Sequence, residues 1–161
     1  MNISPLHTLT TRDLTAMYKT PGINPITITA ATQDNILSFD NEGAFKTMNF
    51  TVLPDNSAEV AMISTTITGK FNLQPTSEAA RQIHKIQQFQ VESNLVLAGT
   101  LLLFCAAAGY GIKLTNFVWT SLTFVGATAT KLDYAQMPFS ASGCNQVIAT
   151  TIQDALKIAN L

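Results

Sequence analysis

Alternation of apolar and polar residues dominates the first half of the chain. In INPITITAAT, residues 23–32, Ile26, Ile28 and Ala30 fall on one face of an extended chain, which is typical of a strand with one buried face. The stretch KTMNFTVLPDNSAEVAMISTTITGKFNL, residues 46–73, alternates on its first arm before the turn residues PDNS and predicts a hairpin with a long return arm. The preceding LTTRDLTAMYKTPG, residues 9–22, is compatible with one short helical turn.

Two other segments have helical spacing. In PTSEAARQIHKIQQFQ, residues 75–90, Ser77 or Thr76 can cap a helix, Glu78 follows in the first turn, and apolar residues recur at positions 79, 83, 86 and 89. At the end of the chain, four apolar residues share one face of a predicted amphipathic helix over 145–159: Ile148, Ile152, Ala155 and Ala159. The order is therefore strands, helix, strands, helix. It predicts an α+β, mainly β fold, an antiparallel β-sandwich or barrel with one flanking helix and a C-terminal helix.

We expect a single domain over residues 1–161, with 145–161 as a C-terminal helical extension. The stretch NLVLAGTLLLFCAAAGYGI, residues 94–112, has no charged side chain, and its length alone does not exclude a membrane-spanning helix. Its glycines and the absence of a flanking Lys/Arg cluster favour a strand that is buried on both faces instead. A small integral membrane protein is the alternative.

Composition narrows the class of protein. Apolar residues make up 47% and charged residues 12%, against roughly 25% charged in an average soluble domain. Protein neighbours or lipid must cover part of this surface. The net charge of −1 argues against a dedicated nucleic-acid binder. The N-terminal residues lack the apolar core of a signal peptide, and Cys105 and Cys144 match neither a metal motif nor a disulfide framework.

No constellation of catalytic residues is visible. His7 and His84 have no acid or cysteine at ligand spacing, and phosphate-binding and dinucleotide-binding glycine motifs are absent from the sequence. Asp40 and Glu42 could share a face of a strand as an acid/base pair, but a hydrated loop is the favoured interpretation. Trp119 fits a core position between Val118 and Thr120. We therefore expect a protein that is not an enzyme and that has no cofactor and no metal site.

The order of predicted elements and the local residue patterns resemble those of bacteriophage tail tube proteins over roughly residues 10–143. In ITGKFNLQPTSEAARQI a strand runs into a polar turn and a helix, as in that family, and the matching residues are Gly69, Phe71, Leu73, Pro75, Thr76 and Ser77. GYGIKLTNFVWTS is similar to the family's hairpin and following strand, and KLDYAQMPFSASG to its closing strand. Two features depart from the family pattern: Gln136–Pro138 interrupts the closing strand, and residues 145–161 add a helix.

The resemblance implies a structural virion protein located in the tail and assembled in the host cytoplasm. Six copies would form a ring, and stacked rings would form a tube through which DNA passes without specific binding. Other tail proteins, such as sheath or baseplate, would be partners, and no membrane would be involved. A tube-like initiator or baseplate ring is the alternative within this class.

Three sets of residues follow as site predictions. The first set is acids that face the lumen or its rim, where basic residues would grip phosphates: Asp34, Asp40, Glu42 and Glu59. The second is a loop that contacts the next ring: Asn41, Gly43 and Phe45. The third is a helical surface that contacts a neighbouring subunit: Ile148, Ile152, Ala155 and Leu156.

Overall fold

The structure is a computed structural model that describes residues 14–29, 37–40, 46–52, 54–55, 57–64, 66–121 and 135–161. Its elements are, in chain order, β1 (Leu14–Lys19), β2 (Ile26–Thr29), β3 (Leu37–Phe39), β4 (Lys46–Val52), β5 (Ala58–Ser64), β6 (Ile67–Leu73), α1 (Glu78–Ser93), β7 (Gly99–Cys105), β8 (Tyr110–Trp119), β9 (Ala135–Ala141), β10 (Gly143–Ile148) and α2 (Ile152–Ala159). The mainly β, α+β architecture predicted from the sequence is confirmed.

Eight strands form one antiparallel sheet. Seven of them follow the order β2-β1-β7-β8-β9-β6-β3, and β10 pairs with the first half of β8. The strands β4 and β5 pair with each other as a separate two-stranded sheet, from Lys46 opposite Ser64 to Val52 opposite Ala58. The hairpin predicted around residues 54–57 is thereby confirmed.

The segment expected to contain a helical turn is a strand, and that expectation is wrong. β1 lies between β2 and β7 in the sheet. Ala16, Tyr18 and Thr20 are buried at every second position, which is the period of a strand and not of a helix. The alternation was hard to recognise in the sequence because Met17, between Ala16 and Tyr18, is apolar and the buried Thr20 is polar.

The apolar stretch at residues 94–112 forms β7, a turn and the start of β8. Leu101 and Leu103 belong to the main core, whereas Leu102 and Phe104 belong to a second core on the opposite face of the sheet. β7 is therefore buried on both faces, as its unbroken apolar run predicted. Within the described part of the chain, we find no helix whose length and hydropathy would let it cross a membrane.

Helix α1 begins where the sequence predicted. The Ser77 hydroxyl accepts a hydrogen bond from the Ala80 N–H at 3.2 Å and caps the first turn. Ile83 and Ile86 are buried in the main core, together with Ala80. The buried face differs slightly from the expected one, since Phe89 is about half exposed and Gln87 is buried in its place.

The C-terminal segment contains a strand before its helix. Residues 143–148 pair with β8 and form β10, so the helix does not begin at residue 145. It begins at Ile152 after Thr151, whose hydroxyl accepts from the Asp154 N–H. Ala155 and Ala159 pack against Leu102 and Phe104 in the second core. Helix α2 therefore covers the face of β7 that α1 and the main core leave open.

Strand β8 carries a bulge at Asn116. Thr115 and Phe117 pair with consecutive residues of β7, and Asn116 between them adopts the left-handed conformation with φ of 50°. The bulge changes which residues of β8 face the main core. Before it, Ile112 and Leu114 face the main core, and after it Phe117 and Trp119 do.

The strand β9 continues through Pro138 without interruption. Pro138 lies opposite Lys70 of β6, and its carbonyl oxygen accepts from the Thr120 N–H at 3.0 Å. Because the N–H and C=O of one strand residue point to the same side, the missing donor of Pro138 faces the end of β8, where pairing stops. The departure from the family pattern at this position therefore costs no ladder hydrogen bond to β6.

Candidate assembly surfaces

Only part of the predicted lumen and stacking sets lies in the described residues. Asp34, Asn41, Glu42, Gly43 and Phe45 lie outside them. Asp40 is exposed just after β3, and its backbone N–H donates to the Thr68 carbonyl at 2.9 Å. Glu59 lies in β5 opposite Thr51. The lumen and stacking roles of these residues stay predictions.

A polar face covers one side of strands β3, β6 and β9. The alternation in β6 and β9 places apolar residues in the main core and polar residues on the other side. We call the following set the polar face: Ser38, Thr68, Lys70, Asn72, Gln136, Pro138 and Ser140. Lys70 is its only charged member. Helix α1 packs on the opposite, core side of these strands, and helix α2 contacts β7 and β10, so neither described helix covers the polar face.

The residues predicted to contact a neighbouring subunit are divided between the inside and the outside of this chain. Ala155 is fully buried, and Ile152 and Leu156 are partly buried against the second core. Ile148 lies in β10 and is 71% exposed. Ile148 is exposed because residues 143–148 form a strand, in which successive side chains point to opposite faces. Ile148 therefore lies on the face opposite the buried Val147. A contact between this segment and another subunit stays a prediction.

Exposed apolar side chains are concentrated in a few places. Large apolar residues with more than a third of their surface exposed are Ile23, Phe89, Val91, Leu95, Val96, Tyr110, Ile148 and Ile158. Tyr110 is 51% exposed and lies directly opposite Ile148, so their side chains share one face of the sheet. We call Tyr110 and Ile148 the apolar knob. No local pattern in the sequence singled out Tyr110, because its exposure depends on where the sheet ends.

A groove runs between the C-terminal half of α1 and the end of β8. Its lining consists of Gln87, Gln90, Val91, Asn94, Leu95, Val96, Val118, Trp119, Thr120 and Ser121. We call it the α1–β8 groove. None of these lining residues carries a charge, and three of them, Val91, Leu95 and Val96, are exposed apolar side chains at its rim. The lining is therefore uncharged and combines apolar with polar side chains.

Gln90 ties α1 to both the sheet and the following loop. Its amide nitrogen donates to the Trp119 carbonyl at 3.1 Å, and its amide oxygen accepts from the Leu97 N–H at 2.9 Å. One side chain thus satisfies two backbone groups that secondary structure leaves unpaired at this place. The spacing of Gln87 and Gln90 within the buried half of an amphipathic helix was the sequence signal that could have singled them out.

The side chain of Gln87, unlike that of Gln90, makes no hydrogen bond to the described residues. It is only 1% exposed, and neither its amide nitrogen nor its amide oxygen has a hydrogen-bond partner among the described residues. The Trp119 indole nitrogen and the Tyr18 hydroxyl are in the same situation in this part of the chain. Unpaired buried polar groups are costly, so the buried amide of Gln87 lowers the stability of this part of the core.

Burial also affects Tyr18. Desolvation raises the pKa of its phenol, and the nearby Thr20 hydroxyl offsets part of this rise. While Tyr18 is protonated, the Thr20 hydroxyl donates its one proton to the Ala98 carbonyl at 3.2 Å and not to Tyr18, so burial is the main influence on this phenol. Tyr18 packs between Phe117 and Trp119, each with ring centroids 5.5 Å away. Its role is therefore in the aromatic core, and Trp119 is a core residue as predicted.

The described residues contain no group of three or more His, Cys, Asp or Glu side chains placed to hold a metal ion. His84 lies on α1 beside Arg81 and Lys85, facing Ala135 and Met137 across a shallow cavity.

No family model matches this chain, and no curated protein matches it. Among solved structures, the chain is similar to one chain in a cryo-EM structure of the anti-feeding prophage baseplate, which was symmetrised six-fold. The match has a TM-score of 0.57, covers 93% of this chain and 100% of that chain, and has 7% sequence identity. At this identity the similarity establishes a shared fold across nearly the whole chain.

Proposed function

We propose that the chain is a structural subunit of a phage tail or a related injection apparatus, in which six copies form a ring around a conduit for DNA. The observation that carries the proposal is the similarity to the baseplate chain over its entire length, in an assembly with six-fold symmetry. The low charge and the exposed apolar residues of this chain support it, because subunits of permanent assemblies bury such surface between copies.

The polar face is our candidate for the lumen wall. Its hydroxyl and amide side chains remain hydrated without binding phosphates strongly, and its one charged residue is Lys70. Asp40 follows two residues after Ser38, the residue of β3 that pairs with Lys70. A wall of this kind lets DNA slide, because each additional phosphate contact would add affinity that must be broken during transport. The other acids of the lumen prediction, Asp34, Glu42 and Glu59, would lie at the rim.

The first experiment asks whether the chain forms rings. The protein is expressed without detergent, and its mass is measured by sedimentation and its shape by negative-stain microscopy. Six-fold rings or tubes are the expected result. A product that stays monomeric at about 100 μM or that is found only in the membrane fraction contradicts the proposal.

The length of the assembly distinguishes the two forms of the proposal. A main tube subunit polymerises into tubes of variable length, whereas an initiator or baseplate ring stops at one or two rings until another tail protein is added. The measurement is the length distribution by microscopy, with the matching tail proteins added in a second sample.

The lumen assignment is tested by cysteine labelling. Thr68→Cys is introduced in a background with Cys105→Ser and Cys144→Ser, and Gln153→Cys on the exposed side of α2 serves as the control. In assembled rings or tubes we expect Thr68→Cys to react with a small maleimide but not with a maleimide on a large polyethylene glycol. The control should react with both. Equal reaction of both positions with the large reagent contradicts the assignment.

A further inference from the structure

We infer that one face of the eight-stranded sheet binds the phosphate backbone of DNA, with Lys70 as the main contact and Asp40 as the residue that keeps this contact weak. The inference rests on the proposed function and deepens it, because it assigns the residues through which the conduit holds its DNA. The binding is independent of base sequence, since phosphate contacts carry no sequence information directly.

The charged residues on the strands of this sheet all have the same sign and lie on the same side. The eight strands contain three charged residues, and all three are lysines: Lys19, Lys70 and Lys113. Each lysine alternates with residues of the main core, such as Tyr18 before Lys19 and Phe71 after Lys70. All three side chains therefore point to the side of the sheet opposite the main core. We call this side the outer face, and the polar face is part of it.

The three lysines are available to a ligand. Lys19 is exposed, and Lys70 and Lys113 are half-buried. Within the described residues, no carboxylate forms an ion pair with any of them. Helix α2 packs on another part of the outer face, around Leu102 and Phe104.

The outer face is more positive than the chain as a whole. The net charge of the chain is −1, but the described acids outside α2 lie in the β4–β5 hairpin, on α1 and just after β3. Helix α2 contributes one acid, Asp154, and one lysine, Lys157, so it leaves the balance of the outer face unchanged. Such an uneven distribution of charge produces a local positive potential, which attracts a polyanion.

Asp40 lies at the edge of the polar face. The ladder between β3 and β6 continues one residue past Phe39, because the Asp40 N–H donates to the Thr68 carbonyl at 2.9 Å. Asp40 is therefore next to Thr68, which is two residues before Lys70 on the same side of β6. Its carboxylate repels phosphate, so it reduces the affinity that Lys70 provides. A weak contact of this kind is required in a conduit through which DNA must move.

The surroundings of Lys70 favour a phosphate backbone over an acidic protein as the ligand. Ser38 lies beside Lys70 on β3, and Thr68 and Ser140 lie opposite each other on β6 and β9. Hydroxyl groups of this kind donate hydrogen bonds to phosphate oxygens. The polar face has no large aliphatic or aromatic side chain of the kind that anchors a protein partner.

Salt-dependent DNA binding tests the inference. Wild-type and variant rings are titrated with a fluorescent DNA duplex at salt concentrations between about 50 and 200 mM. Lys70→Gln should lower the affinity at the lowest salt concentration at least about tenfold, because each lost phosphate contact removes about 0.9 from the slope of log affinity against log salt. Lys19→Gln and Lys113→Gln, added to it, should flatten the salt dependence further.

Two further variants serve as the opposite case and the control. Asp40→Asn should raise the affinity for DNA, because it removes a negative charge beside Thr68. Lys85→Gln removes the same charge as Lys70→Gln from an exposed position on α1, which packs on the main-core side of the sheet, and it should leave DNA binding unchanged. Melting temperatures equal to that of the wild type would show that all variants are folded.

The outcomes separate this inference from the proposed function. If the wild-type chain forms no rings, the proposed function is wrong. If rings form but bind no DNA at the lowest salt concentration, or if Lys70→Gln rings bind DNA like the wild type, the ring function stands and the inference is wrong. Tighter binding of polyglutamate than of DNA with equal charge also overturns the inference, because the outer face would then recognise an acidic protein.

Discussion

The side-chain amide of Asn116 donates a hydrogen bond to the Ser142 hydroxyl oxygen at 2.9 Å, and this bond joins two irregularities of the sheet. Asn116 is the bulged residue of β8, and Ser142 is the residue at which β9 passes into β10. The Ser142 N–H also donates to the Thr115 carbonyl at 3.2 Å. An added Cβ at Gly143 would collide with the Thr115 hydroxyl, so any side chain at this position would require the Thr115 side chain to move.

Substitution of Asn116 tests how much the bulge contributes to stability. Asn116→Val places a β-branched residue at a positive φ, and we expect a loss of about 1–3 kcal/mol in the free energy of unfolding. Asn116→Gly keeps the backbone conformation and loses only the hydrogen bond to Ser142, about 1 kcal/mol. Urea denaturation measures both, and a valine variant as stable as the glycine variant would show that the left-handed conformation is unimportant.

Gln90 and Gln87 provide a matched pair on one helix. Gln90→Leu leaves the Leu97 N–H and the Trp119 carbonyl without their partner, so we expect a loss of about 1–3 kcal/mol. Gln87→Leu removes an amide that has no partner in the described part of the chain, and the subunit should be equally or more stable. Thermal unfolding measures the stability of both variants. If Gln90→Leu and Gln87→Leu lowered the melting temperature equally, the different roles of the two glutamines would be wrong.

Tyr18 should make stability depend on pH only in the alkaline range. Burial raises its pKa above the ordinary value of 10.0, so above that pH the unfolded chain loses the proton before the folded chain does. The contribution of protonated Tyr18 to the free energy of unfolding is therefore fully present below about pH 10. It is lost as the pH rises towards the pKa of Tyr18 in the folded chain. Tyr18→Phe should remove this contribution and be neutral or stabilising at pH 7, since the hydroxyl has no hydrogen-bond partner among the described residues.

The measurement for Tyr18 is the free energy of unfolding between pH 8 and 11, taken as the difference between wild type and variant. Tyr110→Phe is the control, because Tyr110 is about half exposed. A difference curve for Tyr18→Phe that is flat across this range would show that the buried phenol ionises freely in the folded state.

Helix α2 should be required for folding of the subunit. Ala155→Asp buries a charge against Leu102 and Phe104, and we expect a loss of about 3 kcal/mol or more in the free energy of unfolding. Gln153→Asp adds the same charge on the exposed side of the helix and should change stability little. If Ala155→Asp disrupts assembly while its melting temperature stays that of the wild type, α2 is an interface with another subunit and not part of this core.

Local patterns in the sequence were sufficient for the elements whose partners are close in the chain. The alternation of Ile26 and Ile28 predicted β2, the residues around 54–57 predicted the β4–β5 hairpin, and Ser77 predicted the start of α1. Each of these signals depends on backbone conformations and hydrogen bonds within a few residues. The unbroken apolar run of β7 also correctly indicated a strand with two buried faces, because a strand that is covered on one side alternates.

Tertiary structure decided everything that depends on distant partners. β1 is a strand because β7, more than 80 residues later, pairs with it. Residues 143–148 form a strand because β8 offers an edge to them, although their apolar spacing also suited a helix. Ala155 and Leu156 pack within their own chain because Leu102 and Phe104 expose a face that needs cover. The exposure of Tyr110 and the unpaired amide of Gln87 follow from where the sheet and the helix end in space, and no local spacing of residues encodes that position.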